Sequence, residues 1–105
     1  MLRIQPVSIE IARQLGPLLD RIARSDPDHA RQLRRAIKGV VHNLAEGSGS
    51  RAGRRRNAYD IALGEARETL AGLQVAEAMG YVPKLDARLL ERMNHVIGTL
   101  VRILY

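Results

Sequence analysis

Four arginines, Arg51, Arg54, Arg55 and Arg56, fall within six positions directly after the small, flexible turn Gly47-Ser48-Gly49-Ser50. The next helix is expected to start inside that run, between Ser50 and Arg54. A helix N-terminus carries partial positive charge and unpaired N–H groups, so acids normally occupy its first turn and cations there work against the local field. A cationic helix start therefore points to an anionic partner, phosphate before any other. The competing reading is a solvated, arginine-rich corner of a helical protein.

A second set of cations lies upstream. Arg31, Arg35, Lys38 and His42 recur at spacings of four, three and four, with Arg34 beside them. On a helix these positions share a face, and the opposite face carries Leu33, Ile37, Val40, Val41 and Leu44. One face is expected to pack, and the other forms a basic ridge running toward the arginine turn. Arg51, Arg54, Arg55 and Arg56 are the expected core contacts of a nucleic-acid surface, with Arg31, Arg34, Arg35 and Lys38 extending it. Aromatic residues are limited to Tyr59, Tyr81 and Tyr105. With so few platforms on which bases could stack, phosphate contacts are expected to dominate and sequence specificity to be weak.

Other chemistries find little support. No cysteine is present, which removes disulfides and thiolate zinc sites. His29, His42 and His95 are scattered, with neither a His-x-x-x-His nor a Glu-x-x-His pairing, so no metal is expected. Ser48 and Ser50 have no evident base and suit a turn. The Gly47–Gly53 loop lacks the Gly-Lys-Ser/Thr ending of a nucleotide-binding loop. We expect no catalytic residues, no cofactor and no enzymatic activity. A charge of +6 and a pI near 10.7 favour polyanions or an acidic protein surface. No apolar run approaches the roughly 18 residues of a membrane span, and Met1-Leu2-Arg3-Ile4-Gln5-Pro6 does not resemble a signal peptide, so the cytoplasm is the expected compartment.

The elements that position these residues read as helices throughout a single domain, 1–105. Ile11, Leu15, Leu18 and Ile22 mark the first, which Gly16-Pro17 should kink or start late. Ser25-Asp26-Pro27-Asp28 restarts the chain, with Asp26 as cap and Pro27 in the first helical position. The third helix should run to Met79 and end at Gly80 in a left-handed cap, its main stripe being Tyr59, Ala62, Leu63, Ala66, Leu70 and Leu73. The fourth spans about Leu85 to Leu104, with Leu85, Leu89, Met93, Val96, Ile97, Leu100 and Leu104 inward. Short connections favour an all-α, up-down-up-down four-helix bundle.

The third helix carries a second stripe: Ile61, Gly72, Val75 and Met79, with Gly64 and Glu68 beside it. A helix apolar on two sides is buried on two sides, and in a chain of 105 residues the second face suits an oligomer interface. Gly64 and Gly72 each cost roughly 1 kcal/mol relative to alanine in a helix interior. A neighbouring helix approaching closely would offset that cost.

Three segments carry a family resemblance. Asn43-Leu44-Ala45-Glu46-Gly47 resembles the Asn-Ile-Ala-Glu-Gly of the 23S rRNA intervening-sequence proteins, relatives of the accessory variability proteins of diversity-generating retroelements. Ala62-Leu63-Gly64-Glu65-Ala66-Arg67-Glu68 resembles that family's Ala-x-Gly-Ser-x-x-Glu, with Gly80-Tyr81 closing the helix, and Gln32-Leu33-Arg34-Arg35-Ala36 resembles its opening of the second helix. Glu65 stands where the family usually has serine, and His42 where a small residue is usual. The resemblance implies a left-handed four-helix bundle, a ring-like homopentamer, and binding of nucleic acid or of a nucleic-acid enzyme; it transfers no catalytic residues. Asn43, Glu46, Gly47 and Glu68 fall on its motif positions. We expect Glu46 and Glu68 to be buried acids paired with arginines that fix helix register, the competing reading being that they belong to a functional pocket, and Asn43 to bond backbone where the second helix ends. The alternative to nucleic-acid binding is an adaptor whose basic surface docks on a partner protein such as a reverse transcriptase.

Overall fold

Residues 4–105 are described by the structure, a computed structural model. They form four helices: α1 (Ile4–Ser25), α2 (Pro27–Ser48), α3 (Ala52–Ala78) and α4 (Ala87–Leu104). No strand occurs among the described residues. α1 packs on α2, α2 on α3, α3 on α4, and α4 returns to α1, so the four enclose one core.

Local chemistry sets the helix ends. Asp26 accepts the His29 backbone N–H at 3.0 Å, and Pro27 follows where its missing N–H costs nothing. Only Asp26 separates α1 from α2, so the chain reverses sharply there. α3 ends as expected: Gly80 takes φ +78°, Tyr81 N–H donates to Ala76 O at 2.9 Å, and Gly80 N–H to Glu77 O at 3.1 Å. Asp86 caps α4 through the Arg88 N–H at 2.7 Å, and Glu77 reaches over the preceding loop to accept the Leu85 N–H at 2.7 Å.

Of the two outcomes expected at Gly16-Pro17, a kink or a late start, the late start does not occur. α1 runs unbroken through Gly16-Pro17 rather than starting after them. Pro17 deprives the Arg13 carbonyl of its partner, but both residues are exposed, so water can take that place. Its inward stripe is Ile4, Ser8, Ile11, Leu15, Leu19 and Ile22, with Leu18 only partly buried beside it. Both leucines follow Leu15 at helical spacing, and the rotation of α1 against α2 and α4 selects the second.

In α2, Leu33, Ile37, Val40 and Leu44 are buried while Val41 is half-exposed. α3 buries Tyr59, Ala62, Leu63, Ala66 and Leu73, with Leu70 partly covered. α4 starts two residues later than expected, although Leu85 is buried ahead of it. Gly47 lies against the Tyr59 ring: a Cβ there would overlap Cε1 and Cδ1 and stand 2.9 Å from Cζ. This contact brings the end of α2 against the start of α3.

Candidate nucleic-acid interface

Arg51 caps α3 with extended backbone and no side-chain hydrogen bond, and no acid occupies the first turn. Ala52 follows at φ +42°, a left-handed conformation uncommon for a residue with a Cβ. All four arginines of the turn are exposed. They are not equivalent, however. Arg55 folds back to donate twice to the Ser50 carbonyl, at 3.0 and 2.8 Å, and so braces its own turn. Arg56 donates to the Leu104 carbonyl at 2.8 Å, placing a cation at the negative end of α4. The cationic start of α3 is thus partly explained within the fold, because the end of α4 lies beside it. Arg51 and Arg54 have no side-chain partner among the described residues.

The upstream ridge is exposed at Arg31, Arg34, Arg35, Lys38 and His42. Arg31 pairs with Asp28 on its own helix, and Arg34 approaches Asp20 of α1 at 3.9 Å. Exposed pairs of this kind leave the cations largely available. Arg35 and Lys38 have no ion pair among the described residues. The ridge does not reach the arginine turn without interruption. Glu46 is exposed one turn beyond His42 and sets a negative charge between the two basic clusters.

Glu46 and Glu68 were expected to be buried and paired with arginines. Both are exposed, and neither takes part in an ion pair among the described residues. The acid that enters the helix interface is Glu65. Its carboxylate lies over Gly39 of α2, filling the space a Cβ would occupy. Glu65 Oε1 accepts the Asn43 side-chain amide at 2.9 Å, and the same amide nitrogen donates to the Gly39 carbonyl at 3.0 Å. Asn43 therefore bonds backbone one turn upstream, and α2 continues past it to Ser48. Burial pushes the Glu65 carboxyl above its ordinary 4.5, and Glu68 adds to this; the Asn43 bond and His42 pull the other way. The signal in the sequence was Gly39 and Asn43, spaced i and i+4 on α2, which leave a notch and a donor for an acid.

Two grooves meet at Glu65. One of about 400 Å³ is walled by His29, Gln32, Leu33, Arg35 and Gly72, with Glu68 on its rim. The other, about 430 Å³, is walled by Arg31, Arg34, Arg35, Lys38 and His42. His29 Nε2–H donates to the Gly72 carbonyl at 2.8 Å and ties the start of α2 to α3. Among the described residues no group of three or more His, Cys, Asp or Glu could hold a metal ion, and no helix is long and apolar enough to cross a membrane.

The second stripe of α3 is divided. Ile61, Val75 and Met79 are exposed at 44, 46 and 63%, and nothing lies within 4 Å of a Cβ built on Gly64. Gly72 instead faces α2, where a Cβ would overlap Leu33 Cδ2 and stand 3.0 Å from Cγ. The helix that Gly72 admits is the chain's own α2, so Gly72 leaves the outer stripe.

A family model, 23S rRNA-intervening sequence protein, matches residues 4–102. The chain belongs to that family. A search of curated proteins returns no match. Among solved structures, this family member is similar to a crystal structure of a protein with unknown function from the S23 ribosomal protein family of Bacteroides thetaiotaomicron VPI-5482. That protein is 19% identical, with 96% of this chain and 97% of the other covered at a TM-score of 0.84. At that identity the likeness is one of fold.

Proposed function

We propose that this protein is a non-enzymatic, oligomeric helical bundle that binds RNA or DNA mainly through phosphates. The observation that carries the reading is the exposed row Arg31, Arg34, Arg35 and Lys38, in which Arg35 and Lys38 lack any ion pair among the described residues. Arg51, Arg54, Arg55 and Arg56 form a second cluster beyond the end of α2, whose last residue, Ser48, lies about 15 Å past Lys38 at 1.5 Å per residue. Glu46 separates the two, so they act as two phosphate clamps rather than one continuous track.

The bundle reads as up-down-up-down, and the family resemblance implies the left-handed form. His29 against Gly72 and Gly47 against Tyr59 join α2 and α3 end to end in opposite directions, and Arg56 against Leu104 does the same for α3 and α4. The exposed apolar residues Ile61, Val75 and Met79, with open Gly64, support self-association through α3. The family resemblance suggests five copies, which would repeat each basic clamp around a ring and raise avidity.

The test is a titration with labelled structured RNA and duplex DNA at several salt concentrations. Binding in the micromolar range that falls steeply with salt is expected. Alanine at Arg35, Lys38, Arg51 and Arg54, the cations with no ion pair or side-chain hydrogen bond among the described residues, should reduce the log–log salt slope by about 3 to 4, close to one per phosphate contact. An unchanged slope in that variant, or no binding at low salt, refutes the reading.

A further inference from the structure

Glu65 is out of place on a surface built for phosphate. It is an acid held between α2 and α3 in a neighbourhood of cations, yet it forms no ion pair among the described residues. The fold also holds it in position: Gly39 leaves the space and Asn43 clamps Oε1. Oε2, seated over Gly39, accepts no hydrogen bond among the described residues, and Glu65 lines both grooves. A free phosphate would be repelled by this carboxylate. A cationic peptide would be repelled by Arg31, Arg34, Arg35 and Lys38. The ligand that satisfies both signs presents neutral N–H donors at one end and an anionic chain at the other, which describes a nucleotide.

Among the bases, guanine alone offers two adjacent donors, N1–H and the N2 amino group, on its pairing edge. Adenine and cytosine offer one amino group there, and uracil one imide N–H. A carboxylate with two oxygens is complementary to the guanine edge, and pairing edges are accessible in unpaired strands. Gln32 lines the same groove and can donate to guanine O6. Leu33, Ala36 and Gly72 give the ring an apolar wall, and about 400 Å³ is within the usual size of a small-molecule site.

We infer that the α2/α3 groove reads a base: an unpaired guanine sets its N1–H and N2 donors on the Glu65 carboxylate while the flanking phosphates lie on Arg35 and Lys38. This inference rests on the phosphate-binding reading above and adds one position of base preference to it. At that position the inference predicts more specificity than the scarcity of aromatics would give, because a carboxylate discriminates by hydrogen bonds rather than by stacking.

The probes are a labelled twelve-nucleotide uridine strand, the same strand with one central guanosine, and the same strand with inosine there, which lacks the N2 amino group. The guanosine strand should bind about tenfold tighter than uridine alone, as a good two-point base contact allows, with inosine between them. In Glu65→Gln the ratio should fall to about one while the salt slope stays unchanged. Gly39→Ala, which displaces the carboxylate from its notch, should do the same, with circular dichroism confirming that both variants fold. Salt-dependent binding without a guanosine preference, or a preference that survives Glu65→Gln, overturns the base reading and leaves the phosphate reading intact. No binding of any strand at low salt overturns both.

Discussion

Gly47→Ala isolates the contact that joins the end of α2 to the start of α3. Gly47 is the last residue but one of α2, where alanine is favoured over glycine by at most about 1 kcal/mol, so propensity alone predicts a small gain. Packing opposes it. The new Cβ would overlap the Cε1 edge of Tyr59 and lie 2.9 Å from Cζ, where ordinary contact begins near 3.4 Å. Tyr59 is 4% exposed and bounded by the core, so its ring cannot swing into solvent. Moving it by on the order of 1 Å places the cost at the upper end of overpacking, about 3 kcal/mol. The net is a loss of about 2 kcal/mol, equivalent to roughly 10 °C in Tm for a domain of this size. Gly98→Ala is the control, because its Cβ would meet only the tip of Arg102 at 3.6 Å, and it should gain up to about 1 kcal/mol. Thermal and urea unfolding followed by circular dichroism, at matched protein concentration, measures both. Truncating the ring in Tyr59→Leu should remove most of the Gly47→Ala penalty when the two are combined. If Gly47→Ala is as stable as Gly98→Ala, the close approach of α2 to Tyr59 is refuted.

Asp26 and Tyr81 make a pH-dependent joint, since the Tyr81 hydroxyl donates to Asp26 Oδ2 at 3.0 Å while Asp26 also caps α2. The His29 backbone N–H and then the Tyr81 hydroxyl hold Asp26 below its ordinary 3.8, so its contribution is present above about that pH and is lost as pH falls through the depressed value. The Asp26 bond, with some burial, raises Tyr81 above 10.0, so its contribution is present below that pH and is lost as pH rises through the elevated value. Unfolding of wild type and Asp26→Ala across pH 2 to 11 should give curves that are separated at neutrality, with wild type the more stable, and that converge at low pH; a constant gap refutes the cap. The proposed self-association through α3 should be lost in Val75→Glu while helicity stays intact, as read by light scattering and circular dichroism, and retention of the wild-type mass refutes a role for α3 in assembly. Glu65→Gln should stabilise the fold modestly at pH 7 and lose that advantage below pH 4.5, because burial of the ionised carboxyl is the disfavoured state. A stability difference that does not change with pH in Glu65→Gln would show that Glu65 is fully hydrated.

Helix starts and stops were legible because they are written within a few residues. Asp26-Pro27 fixes a cap and a first turn, and Gly80 supplies the one left-handed glycine that closes α3. The inward stripes of α2 and α4 were legible for a related reason: their apolar residues occupy a single face, which can turn in only one direction. α3 is different, with apolar residues on two sides, and nothing along its own sequence says how far it is rotated toward α2. One residue of rotation is about 100°. That rotation puts Glu65 into the Gly39 notch and leaves Glu68 in solvent, and it turns Gly72 toward Leu33 rather than outward. The same limit applies to the arginine turn. Its charge could be read directly, but the Leu104 carbonyl that Arg56 caps lies 48 residues away and meets it only after α4 has packed back along α3. The four helices, the cations of the ridge and the caps are local patterns, each readable within a few turns of chain. Tertiary structure decided which acid is held, which cations remain unpaired and which glycine faces its own chain, because those outcomes depend on how one helix surface is rotated against the next.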